Sequence, residues 1–299
     1  MLAYEDRAQA PRDAHEAPLA HESADDPRRH TGGPVVDVAG DLLLSERGCE
    51  VWHCDWRRLA ELARELGGVD ALIVDAPYSE RTHSGHDGAA AQANGADASW
   101  LRTNGRVERK IRRRDLDYGA FSAEDVSLFV DAWEPLTRGW FVSLTDDELF
   151  PAWRSALSLA SRQTFQDVPC VISGMAVRLT GDGPSSWCIH AAVARPRTKA
   201  MAKWGTLPGA YHGPAERQPV VGGKPLWLMR ALVRDYTRPG DLVCDPCMGA
   251  GTTALACVLE GRRFLGGDAM REHADISVER LRLMPGETKR GQLALLAAG

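Results

Sequence analysis

Val243-Cys-Asp-Pro-Cys-Met-Gly-Ala-Gly-Thr-Thr253 decides the fold. A short apolar run ends in Asp245, a glycine turn follows, and residues 252–260 read as a helix that Gly261 closes. Such a turn lets the backbone approach a ligand closely at a helix N-terminus, as nucleotide-binding loops do. The helix carries no Gly-Lys-Ser/Thr, which excludes a P-loop. A Gly-x-Gly turn alone is common without any ligand. Here the next strand, Arg263–Gly266, leads to Asp268, where a partner for ribose hydroxyls is expected. Two strand-end acids around a glycine turn point to an adenosine-containing cofactor.

Outward from that stretch the same alternation recurs. Upstream, Met229, Leu232, Val233 and Tyr236 form one helical face behind Pro225, and downstream a last helix runs to about Leu283. Glu50–His53 reads as a strand, and Leu59, Leu62, Ala63 and Leu66 as the buried stripe of the helix after it, stopped by Gly67-Gly68. Ala71–Val74 suits a parallel strand buried on both faces. Ser122-Ala-Glu-Asp125 is a capping box before a helix whose stripe is Val126, Phe129, Val130 and Trp133. Trp140–Leu144 is the next strand, 151–160 a helix, and Val168–Leu179 and Trp187–Val193 two further strands. Strands alternating with helices predict an α/β fold, a doubly wound and mostly parallel sheet.

The domain is expected over 39–285, between a polar tail at 1–38 and a short tail at 286–299. Two irregular inserts are expected inside it, a basic one at 79–119 and a second at 195–223. The chain has 299 residues, 44% apolar and 26% charged, ample for a buried core and against wholesale disorder. No apolar run reaches the roughly 20 residues that span a bilayer, and Met1–Ala10 does not read as a signal peptide, so no membrane partner is expected. Seven scattered cysteines fit a reducing cytoplasm better than a disulfide framework. The 36 Lys and Arg against 41 Asp and Glu leave a net charge of -5, so a nucleic-acid binder would have to concentrate its cations locally.

The second chemical stretch is Val74-Asp-Ala-Pro-Tyr78, again at a strand's carboxyl end. By itself it is a turn. Ligands of doubly wound sheets lie beyond the carboxyl ends of the strands, so this loop and the glycine turn can open into one crevice.

Together these stretches carry a resemblance. Asp75-Ala-Pro-Tyr78 resembles the Asp-Pro-Pro-Tyr motif of amino-group DNA methyltransferases, and Asp245-Pro-Cys-Met-Gly-Ala-Gly-Thr-Thr253 resembles their S-adenosylmethionine loop. Gly223-Lys-Pro-Leu226 is similar to the Lys-Pro segment before that loop, and Phe264-Leu-Gly-Gly-Asp268 to the strand after it. The order, catalytic motif before cofactor loop, is that of the circularly permuted β group, which implies a seven-stranded Rossmann-like sheet. The resemblance is at motif strength over 50–78 and 220–283, and in element pattern alone over 120–194. It implies that Asp245, Pro246, Gly249, Gly251 and Thr252 cradle the methionine part of S-adenosylmethionine. Asp268 would take the ribose hydroxyls, Lys224 would lie beside the cofactor, and Asp55 near its adenine. Asp75, with Pro77 and the neighbouring backbone carbonyl, would hold the target amine, and Tyr78 would stack on the base. Ala76 departs from the motif's usual Pro and leaves the backbone there less constrained.

The chemistry asks for such a set. An exocyclic amine delocalises its lone pair into the ring; two acceptors on its hydrogens localise that pair, and alignment does the rest. The base must leave the duplex, so an aromatic platform is needed.

Other signals are weaker. Cys244-x-x-Cys247 has zinc-like spacing but no second pair nearby, so no metal is expected. His83-x-x-His86 reads as solvated loop. Arg102, Arg106, Arg109, Lys110, Arg112, Arg113 and Arg114 face one acid, Glu108, and are candidate phosphate contacts. The segment 195–223, with Trp204 and Tyr211, is the candidate for sequence readout. The expectation is therefore methyl transfer to a flipped base of double-stranded DNA, adenine N6 favoured because the motif begins with Asp. Cytosine N4, an RNA substrate and a non-catalytic cofactor-binding regulator are the alternatives. The residues leave the oligomeric state open, a homodimer included, and a restriction nuclease would be a separate chain.

Overall fold

The computed structural model describes residues 40–86, 119–174, 188–201 and 204–284. In chain order the elements are β1 (Asp41–Glu46), β2 (Cys49–His53), α1 (Trp56–Glu65), β3 (Ala71–Asp75), α2 (Glu80–His86) and α3 (Ala123–Trp133). After a short 3-10 turn at Glu134–Leu136 come β4 (Phe141–Thr145), α4 (Phe150–Leu159), β5 (Gln163–Thr164), β6 (Val168–Ser173), β7 (Cys188–Arg195) and β8 (Tyr211–Pro214). The last are α5 (Leu226–Tyr236), β9 (Leu242–Asp245), α6 (Thr252–Glu260), β10 (Arg263–Asp268) and α7 (Arg271–Leu283).

The strands form one sheet in the order β1-β2-β10-β9-β3-β4-β7-β6-β8, with β5 paired to β7. From β2 through β10, β9 and β3 to β4 every pairing is parallel. The two strands latest in sequence thus lie in the middle of the sheet, and β9 pairs with β3 through Ala71 to Val243 and Leu72 to Cys244. This circular permutation brings a residue near position 75 beside one near 245. Helices cover both faces. Leu72 and Val74 of β3 turn to a core with Leu59 and Ala63 of α1, Phe129 and Trp133 of α3 and Trp153 of α4. Ile73 turns to the opposite core, with Met229, Leu232 and Tyr236 of α5 and Val278 of α7. Alternate residues of a fully buried strand feed opposite layers, as the pleat requires.

Phe129 anchors the first layer, its ring 5.0 Å from that of Trp56 and 5.5 Å from that of Trp153. The capping box expected before α3 is present: the Ser122 hydroxyl accepts from the Asp125 N–H at 3.2 Å, and the Asp125 carboxylate accepts from the Ser122 N–H at 2.9 Å. The buried Arg162 guanidinium donates to the Gly139 carbonyl at 2.7 Å and to the Thr137 carbonyl, fixing the turn that leads into β4.

Several expectations are corrected. The sheet has ten strands among the described residues, not seven: β1, β5 and β8 extend it. β8 lies inside the segment 195–223 expected to be irregular and pairs in parallel with β6. The segment expected to lose regularity after Tyr78 begins with α2. Leu66 does not belong to the buried stripe of α1; it caps the helix and is 54% exposed. The strand expected to run to Leu179 ends at Ser173. The tails at 1–38 and 286–299, the turn at 181–184, Leu179, and Arg102 through Arg114 lie outside the described residues. No described helix is long and apolar enough to cross a membrane.

Candidate active site

Five neighbouring parallel strands present an aspartate at the carboxyl edge of the sheet. Asp268, Asp245 and Asp75 are the last residues of β10, β9 and β3, Asp55 lies two residues past β2, and Asp146 lies one past β4. Parallel strands end on one side, so a run of strand-end acids becomes a row of carboxylates along one crevice.

Around β9 the row is built from the glycine turn. Asp245 is buried, and its carboxylate is already occupied, accepting from the Cys247 N–H at 3.1 Å and the Thr253 hydroxyl at 2.5 Å. Burial is the main force on it and pushes it up to about 7, against those two donors. Asp245 therefore shapes the loop from beneath. Asp268 faces the turn, accepting from the Gly249 N–H at 2.8 Å and the Met270 N–H at 2.9 Å. Gly249 and Gly251 have positive φ, 52° and 74°. A Cβ on Gly249 would meet nothing within 4 Å, whereas one on Gly251 would lie 2.0 Å from the Ser277 Oγ. One glycine thus opens a cradle, and the other lets α7 close against the turn. No side chain caps the N-terminus of α6, which begins at Thr252. Its first N–H groups and its dipole stand toward the crevice, fit for a carboxylate-bearing ligand. Thr252 is buried, and Arg280 donates to its hydroxyl at 3.2 Å and to the Ala250 carbonyl at 2.5 Å. Pro246 is buried in the same loop. Asp55 caps α1, accepting from the Arg57 N–H at 2.8 Å.

The other half is the Asp75–Tyr78 turn. Lys224 of the Lys-Pro segment donates to Asp75 Oδ2 at 2.5 Å and to the Gly222 carbonyl at 2.7 Å, and its ammonium sits 4.9 Å from the centre of the Tyr78 ring. The other carboxylate oxygen, Asp75 Oδ1, and the hydroxyl of Tyr78 are both buried; neither makes a hydrogen bond of good geometry, though the two side chains lie close enough to interact. Burial first, then the Asp75 carboxylate, hold the Tyr78 phenol far above its ordinary range, so it stays neutral. The rest of the Tyr78 ring is half-buried. A buried acceptor without a donor beside a half-open aromatic ring is what an amine-bearing flat ligand would complete.

The structure brings together Asp75, Pro77, Tyr78, Lys224, Asp245, Pro246, Gly249, Gly251, Thr252 and Asp268, with Asp55 just past the end of the neighbouring β2. Lys224, expected beside a cofactor, lies on Asp75. Trp204 is tied into the packing: its indole N–H donates to the Asp235 carbonyl at 2.9 Å, its ring meets Trp140 edge-on at 5.9 Å, and the Arg238 guanidinium lies 3.6 Å from its ring centre. Tyr211 is buried, and its hydroxyl donates to Asp235 at 2.9 Å. Arg109, Lys110, Arg112, Arg113 and Arg114 lie outside the described residues. Sequence reasoning missed Asp146, whose carboxylate fastens the residue after Tyr78. A strand-end Asp followed by Asp and Glu, matching the other strand ends, is the signal that could have found it.

Residues 184–279 match the sequence model of the N6_N4_Mtase family, described as DNA methylase. The Type II methyltransferase M2.DpnII of Streptococcus pneumoniae is 40% identical over 84 residues, 28% of this chain and 27% of that protein. The chain thus aligns with about a quarter of that relative's length. Among solved structures, the M1.HpyAVI–SAM complex aligns with a TM-score of 0.52 at 19% identity, over 78% of this chain and 99% of that one. The PvuII DNA methyltransferase, described as cytosine-N4-specific, aligns with a TM-score of 0.50 at 11% identity, over 82% and 90% of the two chains. The likeness to solved structures establishes the shared methyltransferase fold. With the family match it bears out the resemblance to N6/N4 DNA methyltransferases read from the motifs.

Proposed function

We propose that this chain, with the signature and fold of N6/N4 DNA methyltransferases, transfers a methyl group from S-adenosylmethionine to the exocyclic amine of a base flipped out of DNA, and that the base is adenine. The observation that carries this reading is Asp75 Oδ1, buried without a hydrogen bond of good geometry, three residues before Tyr78 and one strand away from the open glycine cradle. Adenine rests on the Asp that begins the motif.

The fit to the cofactor rests on Gly249, the uncapped N-terminus of α6, and the acids. Those N–H groups would take its carboxylate, and Asp268 its ribose hydroxyls once the Gly249 N–H is shared or released. When bound, S-adenosylmethionine supplies a methyl group already activated on a sulfonium. The protein's own work is alignment and charge placement. Asp75 Oδ1 accepts one amine hydrogen and draws the nitrogen toward tetrahedral geometry, which localises its lone pair. As that nitrogen gains a substituent its remaining hydrogens become acidic, and Asp75 Oδ1 is positioned to receive one. Tyr78 supplies the stacking surface that compensates the lost base stacking. Lys224 holds the second oxygen of Asp75 and so fixes which oxygen is offered.

The test is methyl transfer from labelled cofactor to unmethylated DNA, read by nucleoside mass spectrometry, with Asp75→Ala alongside. The expected product is N6-methyladenine, lost in the variant by more than about a hundredfold while cofactor affinity is kept. N4-methylcytosine would replace the base and keep the mechanism. Cofactor binding without any product would turn the reading to an RNA substrate or a regulator that does no chemistry.

A further inference from the structure

We propose that Asp146 is the positioning residue that sets the Tyr78 ring for turnover. Asp146 is 7% exposed, and its carboxylate gathers four donors. Oδ2 accepts from the Ser79 N–H at 2.9 Å, the Ser79 hydroxyl at 2.5 Å and the Thr82 hydroxyl at 2.5 Å. Oδ1 accepts from the Leu149 N–H at 3.0 Å. Burial by itself would raise this acid; the donors outweigh burial and hold it below the ordinary carboxylate value, so it is a charged anchor.

The anchor lies one peptide from the stacking residue. The N–H of Ser79 belongs to the peptide that joins Tyr78 to Ser79, and the carbonyl of that same peptide accepts from the Phe121 N–H at 3.0 Å. The peptide after Tyr78 is therefore pinned at both ends, by Asp146 on one side and Phe121 on the other. The ring's own contacts are weaker: the Lys224 ammonium 4.9 Å from its centre, and a hydroxyl without a hydrogen bond of good geometry. Its orientation is set from the backbone, and the backbone is set by Asp146. Arg81, which pairs with Asp147 at 2.5 Å and Glu148 at 2.9 Å, ties the same two segments together at the surface. The cofactor cradle is held by other contacts, those of Asp245 and Asp268, so the two halves of the site can be disturbed separately.

This inference rests on the reading of Asp75 and Tyr78 as the catalytic motif. The experiment compares the full-length wild type with Asp146→Asn, Ser79→Ala and Asp75→Ala. It measures the dissociation constant for S-adenosylmethionine, kcat, and the fluorine NMR of 3-fluorotyrosine-labelled protein. The chain has five tyrosines, and the Tyr78 resonance is the one lost in Tyr78→Phe. In Asp146→Asn the cofactor constant is expected to stay within about twofold, while kcat falls by about tenfold to a hundredfold, the range expected for a misplaced reacting group. The Tyr78 resonance is expected to shift or split. Ser79→Ala, which removes one of the four donors, is expected to do the same more weakly, and the double variant to lose no more than Asp146→Asn, because the Ser79 hydroxyl acts through the Asp146 carboxylate. If Asp146→Asn does not fold, Ser79→Ala carries the test by the same two readouts. Unchanged kcat with an unmoved Tyr78 resonance overturns the inference, and so does a loss of cofactor affinity as large as the loss of kcat. Asp75→Ala separates the two readings. Full activity in Asp75→Ala removes the parent reading; an inactive Asp75→Ala beside a fully active Asp146→Asn removes only this one.

Discussion

Asp245 and Asp146 are both buried acids at the carboxyl edge of the sheet, and the fold treats them in opposite ways. Burial raises Asp245 to about 7 from a usual 3.8, whereas the hydrogen bonds to Asp146 lower it. Between about pH 4 and pH 7 the folded chain keeps a proton on Asp245 that the unfolded chain has lost. Rising pH therefore costs stability through that window, and the cost is complete above it. Asp146 acts the other way: its stabilisation is present above the usual carboxylate pKa and is lost as pH falls. Asp245→Asn isolates the first effect. The amide oxygen can still accept from Cys247, and the Thr253 hydroxyl can turn to accept from the amide. The variant is expected to gain stability relative to wild type as pH rises from 5 to 8, read as the difference in urea midpoint. A difference that does not vary with pH would show that Asp245 is ionised throughout. The positions of Asp75, Asp245 and Asp268 were legible in the sequence because each closes a short apolar run. The pairing of Lys224 with Asp75, 149 positions away, was not. It depends on β9 lying beside β3, which no local pattern encodes. Asp146 was hidden for a related reason, since its partners Ser79 and Thr82 are ordinary turn residues until the fold delivers them.

Helices with one apolar stripe and strands buried on both faces declare themselves by period, and the elements so predicted here are present with shifts of one or two residues, apart from the strand from Val168, which ends six residues early. What escaped has weak patterning. β1 is an edge strand exposed along most of its length, β8 carries a glycine and ends in Pro214, and α2 has no apolar stripe. Edge strands tolerate such residues because one of their sides needs no ladder partner. The start of α3 was legible in full. Its capping box offers a direct test, since the Ser122 hydroxyl meets only the first-turn groups of its own helix. Ser122→Ala is expected to lower stability by about 1 kcal/mol. The expected signature is a lower urea midpoint at an unchanged m-value, with cofactor affinity untouched, because the Ser122 hydroxyl bonds only within its own helix turn and not to the glycine turn. A fall in m-value would instead mean that the first turn of α3 unravels on its own.

For the whole molecule, the permuted sheet gathers Asp55, Asp268, Asp245, Asp75 and Asp146 along one edge, in a chain whose net charge is -5. Such an edge suits a cofactor that carries a sulfonium and an ammonium. It repels a polyanion. The proposed DNA substrate must therefore be drawn by cations elsewhere in the chain, and the densest run of them is Arg109, Lys110, Arg112, Arg113 and Arg114, in the segment that follows the Asp75–Tyr78 turn. Each phosphate neutralised on duplex DNA contributes about 0.9 to the slope of log affinity against log salt. Replacing Arg112, Arg113 and Arg114 by Gln should thus flatten that slope by up to about 3 and weaken binding alike for all sequences. The affinity for S-adenosylmethionine should not move, since no residue of the glycine turn or of the Asp75–Tyr78 turn is changed. Binding isotherms at four or five salt concentrations decide it. An unchanged slope would assign the phosphate contacts to other arginines and lysines, and a changed cofactor affinity would tie the basic run to the cradle itself.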